Sequence, residues 1–424
     1  MKIVFASFCA FASVAVRAAI PEVSDVAYEQ DGKQFTTISY TLKNGPAVVT
    51  CDVLTNGVSI GQQFLTNMTG AVNRVVEQGE NTVIIWDAVA TWPGHKIKSG
   101  CTVRVTAWPL DNPPDYMVVD LAKEDRDVAN RYYECADALP GGLTVTNGPY
   151  YLNKLVMRRV HAKDVAWTMG SAMNPGRGAI AEKPHLVTLS NDFYMAVFET
   201  TMGQWRMCSD VVPRELSGAV AVDTNRTELP VHYVSFDDIR GASKPWPLQP
   251  GGWIGVARER TGIDFDLPSE AQWEFACRSG VGDTKYNTGL GIDIAGSGYN
   301  ANDASCPGTY NNNQPSSKTT VAGTYLPSLW GFYDMHGNVS EFCIDWWEED
   351  ISACSGRPNV NPENPTKTLS GATGTTHPIR GGSYSSPIFN CVPSHRGGDH
   401  TSVGPSAGWL GFYGFRVIAP AVAK

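Results

Sequence analysis

The chain has 424 residues, with 33 Lys and Arg against 42 Asp and Glu, and a net charge of −9. That balance argues against a nucleic-acid binder, and 42% hydrophobic residues argue against a disordered tail. At about 150 residues per domain the length fits two domains, and 42 Gly with 27 Pro favour many turns and short elements.

Residues 3–16 form an uncharged run behind Lys2, and the small residues Ala18 and Ala19 follow. The pattern predicts a secretory signal peptide over residues 1–19, because a bilayer span needs about 20 apolar residues. A short buried helix is the alternative, and Arg17 beside the cleavage region keeps it open. No other stretch is long enough to span a membrane. Export places the mature protein outside the cytoplasm, secreted, periplasmic or at the cell surface, and permits disulfides. It also removes Cys9 and leaves nine of the 10 cysteines, so at least one stays unpaired or pairs between chains.

Residues 20–110 carry a period-two pattern. FTTISYTL (35–42), AVVTCDVL (47–54), TVIIWDA (82–88) and CTVRVTAW (101–108) are rich in β-branched and aromatic residues. Asn44-Gly45, Asn56-Gly57 and Ser99-Gly100 separate them as turns. Short strands at this spacing predict a β-sandwich of immunoglobulin or fibronectin type. Cys51 shares a face with Val49 and Val53, and Cys101 with Val103 and Val105, so a disulfide between the sheets is expected; two buried thiols are the alternative. Nothing in this part looks catalytic. Residues 111–149 read as a connector, broken by DNPPDY and with room for one helix over 121–139.

Residues 150–420 differ in kind. Thr201-Met202-Gly203-Gln204 and Ser269-Glu270-Ala271-Gln272 each fit a capping box and mark a helix start. Glu274 in the second helix reads as a carboxylate tying the helix to a loop, ahead of a general base. Trp330, Trp346, Trp347 and Trp409 read as core and loop-pinning residues ahead of a ligand cage.

The blocks of this region run in order as TMGS (168–171), HLVTLSNDFYMAVFETTMGQW (185–205), LPVHYVSFDDIRGA (229–242), FDLPSEAQWEFACRSG (265–280), LWGFYDMHGNVSEFCIDWW (329–347), IRGGSY (379–384) and GFYGFRVI (411–418). Their order and wording resemble the sulfatase-modifying-factor family, whose founding activity is the formylglycine-generating enzyme. The resemblance covers about 270 residues. It implies a C-type-lectin variant fold, so the whole chain is expected to be α+β: a β-sandwich, then a domain rich in irregular loop.

The resemblance also implies sites. DMHGNVSE (334–341) matches a structural calcium loop, with Asp334 and Glu341 binding through side chains and Gly337 and Val339 through carbonyls. Oxygen donors of this mixture suit calcium. YNAND (299–303) matches a second calcium loop at Asn302 and Asp303. Satisfied turns without metal are the alternative for both.

The family's oxidase needs two cysteines five residues apart after the Gly-Gly-Ser block, and two thiolates suit Cu(I). Here the block is GGSYSSPIFNC (381–391). Cys391 keeps the second position, Ser383 matches the family's serine, and Ser386 replaces the first cysteine. Ser340 replaces the family's active-site tryptophan. Copper is therefore doubtful, and Cys391 and Ser383 are what remains of the catalytic set. Cys343 and Cys391 are candidates for a disulfide, with Cys354 competing for either. Cys208, Cys277 and Cys306 read as buried thiols or further staples. His395, Asp399 and His400 have the makeup of a two-His-one-carboxylate set, but six residues with two glycines read better as a solvated loop. No Gly-x-Ser-x-Gly elbow is present.

Residues 384–414 lie between two framework blocks and are rich in Ser, His, Gly and aromatics. A rigid frame that displays such a loop suits a binding face, and Arg380 and Arg416 read as residues that pin the frame. The expected function is an exported, calcium-stabilised binding module for a protein or surface ligand. The alternative is an oxidase acting on a sulfatase-type peptide.

Overall fold

The computed structural model describes residues 19–31, 34–92, 94, 100–123, 129–143, 148–172, 182–210, 227–241, 248, 251–280, 282, 318–352, 376–400 and 410–422. The signal-peptide run to Ala18, Asn302, Asp303, Cys306, Cys354 and Trp409 lie outside the described residues.

The chain opens with β1 (Glu22–Gln30), β2 (Phe35–Lys43), β3 (Ala47–Thr55), β4 (Val58–Ser59), β5 (Met68–Gly70), β6 (Arg74–Val76), β7 (Gly79–Asp87), the short helix α1 (Ala88–Thr91) and β8 (Cys101–Trp108). One sheet runs β1-β2-β7-β5, and the other β4-β3-β6 with β8 also paired to β3. Alternation decides the facing: Ile38, Tyr40 and Leu42 of β2 point inward, while Phe35 and Thr37 point out. They meet Val49 and Cys51 of β3 and Ile84 of β7 in one core. The four strands expected from period two are β2, β3, β7 and β8. Strand β1 carries no clean alternation and its residues stay largely exposed, so no hydrophobic signal marked it.

Two expectations for this part change. First, Cys51 and Cys101 do not bridge the sheets. Both lie in one sheet, where β3 pairs with β8 so that Thr55 faces Cys101 and Cys51 faces Val105. Four residues of offset amount to roughly 13 Å along a strand, far beyond disulfide reach. Both remain thiols, and burial pushes Cys51 up to about 12. Second, part of the 111–149 connector enters the next sheet: β9 (Tyr116–Asp120) pairs with β10 (Asn130–Tyr133). The period-two content was too short to stand out between the Pro and Gly breaks.

After the helix α2 (Pro149–Leu152) come β11 (Lys154–Val160), β12 (Ala166–Met169), β13 (His185–Thr188) and β14 (Phe193–Ala196). Four helices follow: α3 (Met202–Cys208), α4 (Phe236–Arg240), α5 (Trp253–Thr261) and α6 (Glu270–Arg278). The last strands are β15 (Ser340–Phe342), β16 (Thr376–Arg380), β17 (Gly397–His400), β18 (Tyr413–Gly414) and β19 (Ile418–Pro420). The fold is α+β. Its second part is built on a five-stranded sheet, β10-β9-β11-β14-β19. Trp205, Trp253, Phe265 and Phe415 pack together above it, and Val48 of the sandwich joins the same core.

Both expected capping boxes form, at Thr201/Gln204 and Ser269/Gln272, and a third forms at Ser235/Asp238. Gly203 in the first turn of α3 is required: a Cβ there would come within 2.3 Å of the Tyr151 carbonyl. A second sheet runs β17-β16-β15-β18, and its Phe342 and Tyr413 join the same core. It sets Ser340 beside Tyr413 and Ile379 beside Gly397. No helix among the described residues is long and apolar enough to cross a membrane.

Candidate functional site

The β15–β18 sheet floors a cavity of about 260 Å³. Ser340, Ile379, Gly397 and Tyr413 come from its four strands, and the loop from Gly382 to His395 forms a wall. Ser340, Ser383 and Ser386, singled out from the sequence, line this one cavity. The Ser383 amide donates to Ser386 Oγ at 3.0 Å, and the Ser385 amide donates to Ser383 Oγ at 3.3 Å. The two hydroxyl oxygens lie 3.1 Å apart.

Cys391 does not line the cavity. It is buried beneath the loop, with its Sγ 3.8 Å from the Pro387 carbonyl and its own carbonyl 2.8 Å from His336 Nδ1. Gly382, at φ +69°, allows this approach, since a Cβ there would lie 2.6 Å from the Cys391 sulfur. Cys343 packs in another cluster, with Trp273 and Phe275. The structure does not bring it to Cys391, which packs with Tyr325 and Ile388, and both carry thiols. Burial pushes Cys343 far above the ordinary thiol range.

His395 also lines the cavity, and its partner is one that the sequence reading missed. Its Nδ1 lies 3.2 Å from Oε1 of Glu182, which is buried and whose Oε2 accepts from Ser394 Oγ at 3.3 Å. Glu182 sits 213 residues away in the chain, in no recognisable motif. Asp399 and His400 stand on β17, where Asp399 faces His377 across the ladder. Phe412 and Tyr413, inside the 384–414 segment expected to form a binding face, also line the cavity.

Buried ion pairs hold the wall in place. Arg396, next to His395, meets Glu270 at 2.6 and 2.7 Å. Arg380, just before Gly381, pairs with Glu274 and donates to the carbonyls of Pro393 and His395 at 2.9 and 3.0 Å. Glu274 also accepts from the Gly170 amide at 2.9 Å and pairs with Arg278. It ties helix to loop, as its sequence context suggests. Burial disfavours its charge, but Arg278 and Arg380 outweigh that and hold the carboxyl below its usual range. Trp330, Trp346 and Trp347 are packing residues: Trp330 meets Phe275, Trp346 stacks on His377 and Trp347 lies under Arg396.

The loop 334–341 is built around a different charge set. Both Glu341 oxygens accept from Arg416, at 2.6 and 2.7 Å, and Oε2 also accepts from Trp273 Nε1 at 2.7 Å. Asp334 Oδ2 takes the Gly323 amide at 2.6 Å, while its Oδ1 is buried without a partner. The Val339 amide and the Asn338 side chain both go to Glu199, at 3.0 and 2.7 Å. Gly337 turns the loop at φ +119°. Burial pushes Asp334 up to about 6, and it raises Glu199 well above the carboxylate range, helped by the nearby Asp334 and Glu341. In this arrangement Glu341 is the counter-ion of Arg416. Of the two expected side-chain donors, only Asp334 keeps an unengaged carboxylate oxygen.

Residues 142–421 match the family described as the sulfatase-modifying factor enzyme 1-like domain. The chain belongs to this family. Among sulfatase-modifying-factor relatives, the formylglycine-generating enzyme of Streptomyces coelicolor is 25% identical over 242 residues, covering 57% of this chain and 69% of that one. A serine/threonine-protein kinase, pkn1 of Chlamydia pneumoniae, is 30% identical over 146 residues. The match takes in 34% of this chain and only 20% of the kinase. Among solved structures, PvdO from Pseudomonas aeruginosa aligns at a TM-score of 0.48 with 20% identity, over 63% of this chain and 94% of PvdO.

Proposed function

We propose that this chain is an exported binding module of the sulfatase-modifying-factor family. It takes a protein or surface ligand at the 384–414 face and does not carry the copper-dependent oxidation of a cysteine. One observation carries the reading. Where the oxidase needs a second thiol, this site has the Ser386 hydroxyl, and no described cysteine lines the cavity. A hydroxyl is a poor Cu(I) ligand, so the residues do not fit that metal. Support for the binding role is a hydroxyl-rich cavity in a wall clamped by Arg380 and Arg396. A site held rigid by its surroundings loses little entropy on binding. The leader-like residues 3–16 support export.

The test is an oxidation assay. The mature protein, loaded with Cu(I), is offered a peptide containing Cys-x-Pro-x-Arg, and mass spectrometry looks for the aldehyde. No product from folded protein is expected. Product that vanishes in Cys391→Ala would overturn the reading and restore the oxidase.

A further inference from the structure

We infer that the Ser383–Ser386–His395 cavity takes one ring of a neutral sugar. The inference rests on the binding reading above and names the ligand class. Among the described residues lining the cavity there is no Asp, Glu, Lys or Arg. The one titratable side chain in the lining besides Tyr413, His395, already faces Glu182, so an ionised ligand would lose water there for little counter-charge.

Hydrogen-bond capacity narrows the class. Each serine hydroxyl has one proton to give. Ser383 Oγ and Ser386 Oγ each accept a backbone amide, and one of their two protons closes the bond between them. The other proton has no acceptor among the described residues. On the opposite side, Glu182 engages His395 Nδ1. That leaves Nε2 for a ligand, as an acceptor in the neutral ring and a donor in the protonated one. A hydroxyl suits all of these, since it donates and accepts with the same oxygen. A carbonyl or an ammonium suits only some.

Size and wall complete the argument. About 260 Å³ lies just under the usual small-molecule range of roughly 300–1,000 Å³. One pyranose ring fills such a space, whereas a single Thr or Asn side chain leaves much of it empty. Pro387, Phe412 and Tyr413 supply apolar surface for the C–H face of the ring. The small residue Ser340 leaves the floor open, and a tryptophan there would fill it.

The experiment is saturation-transfer NMR on the folded protein with glucose, galactose, mannose and N-acetylglucosamine. Glucuronate and N-acetylasparagine amide are tested beside them. Ring protons of at least one neutral sugar should take up saturation. The signal should weaken about tenfold in affinity for Ser386→Ala, in line with loss of one hydrogen bond in a built site, and vanish in Ser340→Trp. Thermal melts establish that each variant is folded. If no neutral sugar responds, or if glucuronate or the amide binds more tightly, the inference falls. A Ser340→Trp protein that still responds also overturns it. Any of these leaves the binding reading standing, because the reading falls only to aldehyde product in the oxidation assay.

Discussion

Arg380 and Glu274 form a fully buried ion pair that joins the Gly-Gly-Ser loop to helix α6. The same guanidinium holds the carbonyls of Pro393 and His395, so the loop is gripped at both ends by one side chain. Trp273 lies under it at 5.5 Å and passes the link on to Glu341. The wall of the cavity is therefore positioned by charges that never touch a ligand.

Removing Arg380 leaves Glu274 Oε2 without its partner in a dry interior, while Oε1 keeps Arg278 and the Gly170 amide. Arg380→Met is expected to cost roughly 3–5 kcal/mol of stability, read from denaturant unfolding. The change should also abolish any ligand response at the cavity under conditions where the protein is still folded. A loss below about 1 kcal/mol, the range of exposed pairs, would mean that the pair is not dry.

Surface charge behaves differently. His161 lies 2.8 Å from Asp115, with side chains 59% and 44% exposed. The bond to Asp115 raises His161 above its ordinary 6.5 and lowers Asp115 below 3.8. The raised His161 stabilises fully below 6.5 and loses its effect as pH climbs through the folded value. The lowered Asp115 stabilises above 3.8 and loses its effect as pH falls through its folded value. Asp115→Asn should thus lower stability at pH 5 and have little effect at pH 9. The loss should stay below about 1 kcal/mol and shrink in high salt. Equal losses at both pH values would place the effect in packing.

The thiols offer a separate check. Cys135 is exposed, whereas Cys208 and Cys277 are buried. Burial pushes Cys208 up to about 12 and raises Cys277 further still. Thiolate is the reacting form, so Cys135→Ser should remove one fast-reacting thiol in a native labelling assay. Cys277→Ser should leave the fast fraction unchanged. Fast labelling that survives Cys135→Ser undiminished would contradict the exposure of this residue.

These contrasts show which features were legible. Strands such as β2 were legible because one face is wet, and helices α3 and α6 because their capping boxes are local. The gathering of Ser340, Ser383 and Ser386 followed from motif order in the family. Glu182 was not legible, since a long-range ion pair leaves no spacing to read. Nor was the fate of the Cys51–Cys101 pair. Sharing a face on each strand left open whether the two strands lie in one sheet or two, and strand pairing decides that. The 334–341 loop is legible in sequence as a cluster of oxygen donors. Arg416, 75 residues beyond Glu341, decides what those oxygens hold.

Calcium tests that last point. With Glu341 saturated by Arg416 and Trp273, neither added calcium nor EGTA should move the melting temperature. Arg416→Met should be costly with or without the ion, again by roughly 3–5 kcal/mol. Ligands that bind only the folded state raise stability in proportion to the logarithm of their concentration. A calcium-dependent rise of that form would show that Arg416 yields Glu341 to the ion.

The oxidase frame can be tested by repair. Ser386 Oγ receives the Ser383 amide at 3.0 Å, and a thiol at this position would stand five residues before Cys391 on the same loop. Two thiolates hold Cu(I) far better than a thiolate with a hydroxyl. Ser386→Cys should therefore gain stoichiometric Cu(I) binding against a competing chelator, while the unmodified chain does not. The gain should disappear in Ser386→Cys/Cys391→Ala. If Ser386→Cys binds no more copper than the parent, Cys391 cannot leave its place beside Gly382 to reach the cavity. In that case more than one substitution separates this chain from the oxidase.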